Sequence, residues 1–99
     1  MIVEIVVAAG KKEQARAWSK IEGTSVTEHG DGVAPSEATL TFTATPADAQ
    51  ALHDGTLDLS VGFMRGQVKM AGDFGALLEM LPLTAGPKPA IAVTALLPA

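Results

Sequence analysis

The sequence predicts an α+β fold, with helices packed on one face of a mainly antiparallel sheet. Three observations predict it. Runs rich in Val, Ile and Thr fill the first half of the chain, two capped helical segments fill the second, and a strand-like run lies between those two helices. Ninety-nine residues is the size of one domain, large enough to bury one core without a disulfide or a metal.

The elements follow in order. Met1 to Ala8 reads as a strand, and Gly10-Lys11-Lys12 as a turn. Gln14 to Glu22 alternates, with Arg16, Trp18, Lys20 and Glu22 on one side and Ala15, Ala17, Ser19 and Ile21 on the other. This pattern predicts a second strand joined to the first as a hairpin. Gly23 breaks it, Ser25 to His29 forms a short third strand, and "HGDG" reads as a loop with two glycines free to take positive φ. "ATLTFTAT" carries the clearest alternation. Leu40, Phe42 and Ala44 point one way and Thr39, Thr41, Thr43 and Thr45 the other, as in a half-buried antiparallel strand.

Thr45 then serves as a helix N-cap, with Pro46 at the first helical position and Asp48 where a capping-box acid would sit. That helix runs to about His53, and Gly55 ends it. "LDLSVGFMRG" reads either as a strand or as a short helix capped by Asp58. Gly66 to Ala71 is a strand, with Val68 and Met70 on one face and Gln67 and Lys69 on the other. Asp73 caps the next helix, where Phe74, Leu77, Leu78 and Leu81 follow the spacing of one face and Pro82 is the expected stop. Ala76 and Met80 leave much of its other side apolar too, and Glu79 is the charge it carries. Residues 1–83 thus form the domain, and 84–99 a Pro/Gly connector, "TAGPKPA", with an apolar tail.

Composition narrows the function. The formal net charge of -4, with cations scattered along the chain, excludes a general nucleic-acid binder. There is no cysteine, so thiol nucleophiles and thiolate metal sites are ruled out. The chain is 47% hydrophobic but only 4% aromatic, and its aliphatic and Met side chains suit a deformable apolar pocket as well as an ordinary core. "MIVEIVVAAG" and "AIAVTALL" are too short to span a bilayer, so no stable membrane insertion is expected, and the chain reads as cytoplasmic.

Chemistry-bearing groups are sparse. His29 and His53 each stand alone, without a partner at a ligand spacing, and are read as structural or surface residues. Asp48 and Asp73 are used as caps, the serines lack a nucleophile elbow, and the glycines do not form a phosphate loop. No catalytic residue, metal site or cofactor is predicted, and the chain is expected not to be an enzyme.

"GTLDLSVGFMRGQVKMAGDFGALLEMLPL", residues 55–83, resembles the C-terminal part of the sterol carrier protein 2 (SCP-2) sterol-binding family. The residues that carry the likeness are Gly55, Leu57, Asp58, Phe63, Met64, Gly66, Val68, Met70, Gly72, Asp73, Leu77 and Leu78. The preceding "ATLTFTATPADAQAL" also looks like the family's strand and helix, and the N-terminal hairpin matches only weakly.

The resemblance implies a sheet of about five strands covered by helices on one face, and resolves "DLSVGFMRG" as a helix. It implies non-enzymatic binding and carriage of a sterol, fatty acid, acyl-CoA or phospholipid in an apolar cavity between sheet and helices. The lipid-binding residues expected on that basis are Phe63, Met64, Val68, Met70, Phe74, Leu77, Leu78 and Leu81, with the helix 74–81 as cover of the pocket. Family members usually carry a helical segment before the first strand. The chain begins at that strand, and its apolar tail or a second protomer is expected to supply the missing wall. The alternative is a dimerisation or accessory module in which the apolar helix is a homodimer interface and no cavity is open. A third is a small acid–base enzyme acting on a steroid-like ring, against which stands the lack of a carboxylate or His inside an apolar run.

Overall fold

A computed structural model of the chain describes residues 1–84 and 89–98. The central part of the predicted connector, residues 85–88, therefore lies outside the described residues. Five strands form one sheet: β1 (Ile2–Ala9), β2 (Lys12–Glu22), β3 (Ser25–Asp31), β4 (Leu40–Ala44) and β5 (Val68–Gly72), in the spatial order β3-β2-β1-β4-β5. Three helices, α1 (Pro46–Asp54), α2 (Leu59–Met64) and α3 (Phe74–Thr84), and a 3₁₀ turn, Val93–Ala95, complete the fold. The α+β class is as predicted, and the helices lie on one face of the sheet.

β1, β2 and β3 form an antiparallel meander, with Gly10 and Gly23 taking positive φ at its two turns. β4 pairs with β1 in parallel and with β5 in antiparallel. The alternation of "ATLTFTAT" marks a half-buried strand but not its direction, because period two is the same in either pairing. Direction is set by the connection. β3 ends at the same end of the sheet as β1, and residues 32–39 return the chain to the opposite end before β4 begins. Thr39 anchors that return, since its N–H donates to the Ile2 carbonyl at 2.7 Å.

Register sorts the side chains into two faces. Val3, Ile5 and Val7 of β1 lie beside Ser19, Ala17 and Ala15 of β2 and beside Leu40, Phe42 and Ala44 of β4. Met70 and Val68 of β5 continue that row from Phe42 and Ala44. This is the helix-covered face, and Val3, Ile5, Leu40, Phe42 and Val68 are buried in one contiguous cluster with Leu52, Leu59, Leu77 and Met80 from the helices and Leu57 from the connection between α1 and α2.

The outer face carries Glu4, Val6, Arg16, Trp18 and the threonines of β4. Glu4 is only 5% exposed there, and Arg16 offsets the cost of burying its charge by donating to it. Arg16 also donates to Glu13 Oε1, from Nη2 at 2.6 Å and from Nε at 3.2 Å. The hydrogen bond from Arg16 holds the Glu13 carboxyl below its ordinary range, and the same pairing raises the guanidinium further. Gly30, expected in a loop, is instead a strand residue opposite Trp18. A Cβ at Gly30 would stand 2.8 Å from the Trp18 Nε1, so glycine here makes room for the indole rather than for a turn.

The helix boundaries follow local chemistry. Thr45 accepts from the Asp48 N–H at 3.2 Å, Pro46 opens α1, and Gly55 closes it at φ 79°. Asp58 accepts from the N–H groups of Ser60 and Val61, so α2 is helical, as the resemblance implied. Asp73 does the same for Gly75 and Ala76 at the start of α3.

α3 departs from expectation in two ways. It passes through Pro82 and ends at Thr84. The hydrogen bond lost at Pro82 is the one to the Leu78 carbonyl, and both residues are on the exposed side, where that carbonyl can be solvated. Its buried line is Leu77, Met80 and Thr84, whereas Phe74 and Leu78 are 58% and 59% exposed. A helix apolar nearly all round does not specify its own rotation, and the sheet beneath α3 has selected the line that includes Met80.

Candidate functional site

The helix-covered face divides into two halves of different side-chain size. Over β4 and β5 it presents Leu40, Phe42, Val68 and Met70, and α2 and α3 close on them. Over β1 it presents Val3, Ile5 and Val7, and over β2 Ile21 followed by the small residues Ser19, Ala17 and Ala15. Alternation puts these small residues on the inner face, and their size leaves a shallow strip between the sheet and whatever lies above it.

What lies above is the segment 91–98 together with α1. Ile91 and Leu96 are buried in the core cluster, at 4% and 1% exposure. Val93 and Leu97 pack against that cluster from its edge. One cleft of about 340 Å³ opens beside Leu97, lined by Val7, Ala15, Pro46, Ala49, Gln50 and His53. A second, of about 410 Å³, opens on the other side, where Ala17, Ser19, His29 and Asp31 meet Ala95, Leu96 and Leu97. Leu97 borders both. A third, of about 300 Å³, lies between the end of α1, Leu57 to Leu59, Thr84 and the 3₁₀ turn. Each volume is at the lower end of the ~300–1,000 Å³ typical of small-molecule sites.

The eight residues predicted to contact lipid are placed elsewhere, and none of them lines one of these clefts. Val68 and Leu77 are fully buried in the core. Phe63, Met70 and Leu81 are partly buried and pack against it. Met64, Phe74 and Leu78 are exposed, Met64 at 82%. The residues that the sequence reading passed over are Ala15, Ala17, Ala49, Leu96 and Leu97. The signal for the first two was present in the alternation of Gln14 to Glu22, whose inward side is small from Ala15 to Ser19.

His29 is level with Ser19 across β2 and β3, and Asp31 with Ala17; all line the second cleft, His29 and Asp31 exposed and Ser19 buried. They are not hydrogen-bonded to one another in a catalytic chain. His53 stands 3.7 Å from Asp54 at the exposed end of α1. Among the described residues, no group of three His, Asp or Glu side chains is placed to hold a metal ion.

Neither family models nor curated proteins match the sequence. Solved structures do match in fold. A conserved hypothetical protein of Thermus thermophilus aligns at a TM-score of 0.69 with 16% identity, over 99% of this chain and 71% of that one. Sterol carrier protein 2 of Aedes aegypti, in complex with the C16 fatty acid palmitate, aligns at 0.58 with 13% identity, over 85% and 72% of the two chains. The inverting sec-alkylsulfatase Pisa1 of a Pseudomonas species aligns at 0.57 with 23% identity, over 89% of this chain but 14% of that one. The chain spans about two thirds of the length of other sterol carrier chains it matches. Its fold is therefore SCP-2-like, a mostly antiparallel five-stranded sheet with one parallel pair and helices on one face.

Proposed function

We propose that this SCP-2-like domain binds and carries a hydrophobic ligand, a fatty acid, sterol, acyl-CoA or phospholipid, without altering it chemically. The ligand's hydrocarbon lies between the sheet and its helices. The observation that carries this reading is the strip of small residues on the inner face, Val7, Ala15, Ala17 and Ser19, with a cleft at each side of Leu97. The palmitate complex of the Aedes aegypti protein of like fold supports the ligand class.

The energetics suit a carrier. Burial yields roughly 0.8 kcal/mol per methylene, so an acyl chain of about fourteen methylenes gains on the order of 10 kcal/mol gross. Association and ordering take back several, which leaves a Kd of about micromolar, strong enough to load and weak enough to release.

In this reading the residues of α2, β5 and α3 form the wall remote from the clefts. Phe63, Met70 and Leu81 give it deformable surface, with Val68 and Leu77 behind them. Exposed Met64, Phe74 and Leu78 are the surface we propose for a homodimer contact, which concentration-dependent mass would reveal.

Titration with palmitate, read by calorimetry and by native mass spectrometry, tests the proposal. The expected result is one equivalent bound at micromolar Kd. A folded protein that takes up none of palmitate, cholesterol or phospholipid at millimolar concentration overturns it.

A further inference from the structure

The two edges of the sheet are not alike. β3 and β5 are its outermost strands, and each has a row of backbone groups with no partner strand. The β3 edge is protected. Its pairing with β2 slips between Lys20 and Ile21, and Glu28 and Asp31 place two carboxylates along it. A copy of β3 laid against it would meet those charges. β5 carries one charge, Lys69, among Val68, Met70, Ala71 and Gly72.

The bonds that β5 already makes fix the direction of its open groups. The Asp73 N–H donates to the Thr39 carbonyl at 3.1 Å, and in the same antiparallel register Thr41 faces Ala71 and Thr43 faces Lys69. Successive residues of a strand turn their N–H and C=O to alternate sides, so Lys69 and Ala71 spend theirs on β4. Val68, Met70 and Gly72 point theirs outward, and among the described residues no loop, cap or helix takes those groups up.

We infer that β5 pairs in antiparallel with β5 of a second copy of this chain, centred on Met70, so that two sheets become one. A two-fold axis at Met70 matches every outward group. Met70 exchanges both of its bonds with Met70 of the second copy, and Val68 exchanges its own with Gly72 of the second copy. Each Lys69 lies opposite Ala71 of the second copy. It is one diagonal step from Asp73 there, which offsets the equal step between the two lysines. The axis also joins unlike ends of the strand. Met64, 82% exposed, precedes β5, and Phe74, 58% exposed, follows it. Antiparallel pairing sets the end that carries Met64 in one copy beside the end that carries Phe74 in the other, and both apolar side chains gain cover. The assembly stops at two copies, because the contact is isologous and the edges left over are the charged β3 strands. This inference rests on the homodimer reading above and gives it a backbone interface.

The test uses the full chain, which has no native cysteine. Lys69 and Ala71 are both exposed on the outer face. Lys69→Cys and Ala71→Cys are made as two separate proteins, and disulfide formation is followed for each alone and for the mixture. The mixture is expected to link at least tenfold faster than either protein alone, because the register sets position 69 against position 71. Met70→Pro removes an outward donor and leaves the bonds to β4 intact. In sedimentation equilibrium it is expected to dimerise at least tenfold more weakly than Met70→Leu. A dimer whose mixed cysteine variants link no faster than the separate ones overturns the β5 interface and leaves the contact of Met64, Phe74 and Leu78 standing. An unchanged dimer constant in folded Met70→Pro overturns it too, as does assembly of the natural chain beyond two copies. A natural chain that stays monomeric at millimolar concentration overturns both the β5 interface and the homodimer reading.

Discussion

The two halves of the inner sheet face differ in how they are covered. Over β4 and β5, large side chains meet α2 and α3, and the space is filled by Leu40, Phe42, Val68, Leu77 and Met80. Over β2, small side chains beside Val3, Ile5 and Val7 of β1 meet a segment without regular hydrogen bonding to the sheet, and the space is filled only in part. The difference teaches that an apolar helix and the open clefts need not coincide. α3 is apolar nearly all round, but its inward side is committed to the core. The strip beside the clefts is the one where the sequence is merely small.

The comparison can be broken most directly at α3. Leu77→Ala is expected to destabilise the fold by about 2–5 kcal/mol in urea denaturation, the usual range for a fully buried leucine. A charge at the same position would unfold the protein, so loss of lipid uptake by Leu77→Asp would carry no information about the site. A Leu77→Ala cost under about 1 kcal/mol would mean that this half is not packed as described.

The next effect is smaller and has a different signature. Leu96→Ala is expected to cost about 1–2 kcal/mol, because the segment can lift without opening the sheet and caps what its docking contributes. Hydrogen exchange checks the mechanism. Amides of 91–97 should exchange faster in Leu96→Ala while those of Val3 to Val6 keep their relative protection. If both regions loosen equally, the two halves are one unit.

Within α3 itself, Leu78→Ser should change stability by no more than about 0.5 kcal/mol, although Leu78 is the neighbour of Leu77 in sequence. The same denaturation experiment decides it.

The smallest expected effect is on the outer face. Glu13 has a lowered folded-state pKa through its hydrogen bond from Arg16. Its contribution is therefore present above the unfolded carboxylate value and is lost as pH falls through the lowered one. Glu13 is fully exposed, so the increment is slight. Glu13→Gln should remove a small acid-side drop in stability seen in the natural chain, measured as the difference in unfolding midpoint between pH 7 and pH 3.

Much of the architecture was legible. Alternation in Gln14 to Glu22 and in "ATLTFTAT" assigned the faces of β2 and β4 correctly, and Thr45 and Asp73 marked helix starts that the structure places at the same residues, whereas the start at Asp58 was left open by the local pattern and settled by the resemblance. These signals are local, since period and capping act within a few residues. The candidate site was less legible. The eight residues proposed from the α2–β5–α3 region divide among core, core edge and surface, because hydrophobicity reports that a side chain avoids water but not which neighbour shields it. The rotation of α3, the passage of the helix through Pro82 and the strand role of Gly30 were likewise beyond a local reading. Each depends on a partner distant in sequence, as Trp18 is for Gly30.

By itself, then, the sequence determined the class of fold, the capped helix starts, and the inward and outward sides of the strands. Only the tertiary structure decided that β4 runs parallel to β1, that α3 is spent on the core, and that residues 91–98 lie over the small-residue strip. The reason is physical. Periodicity and capping are properties of a short stretch of backbone, whereas burial, strand direction and open space arise only when surfaces far apart in the chain compete to cover one another.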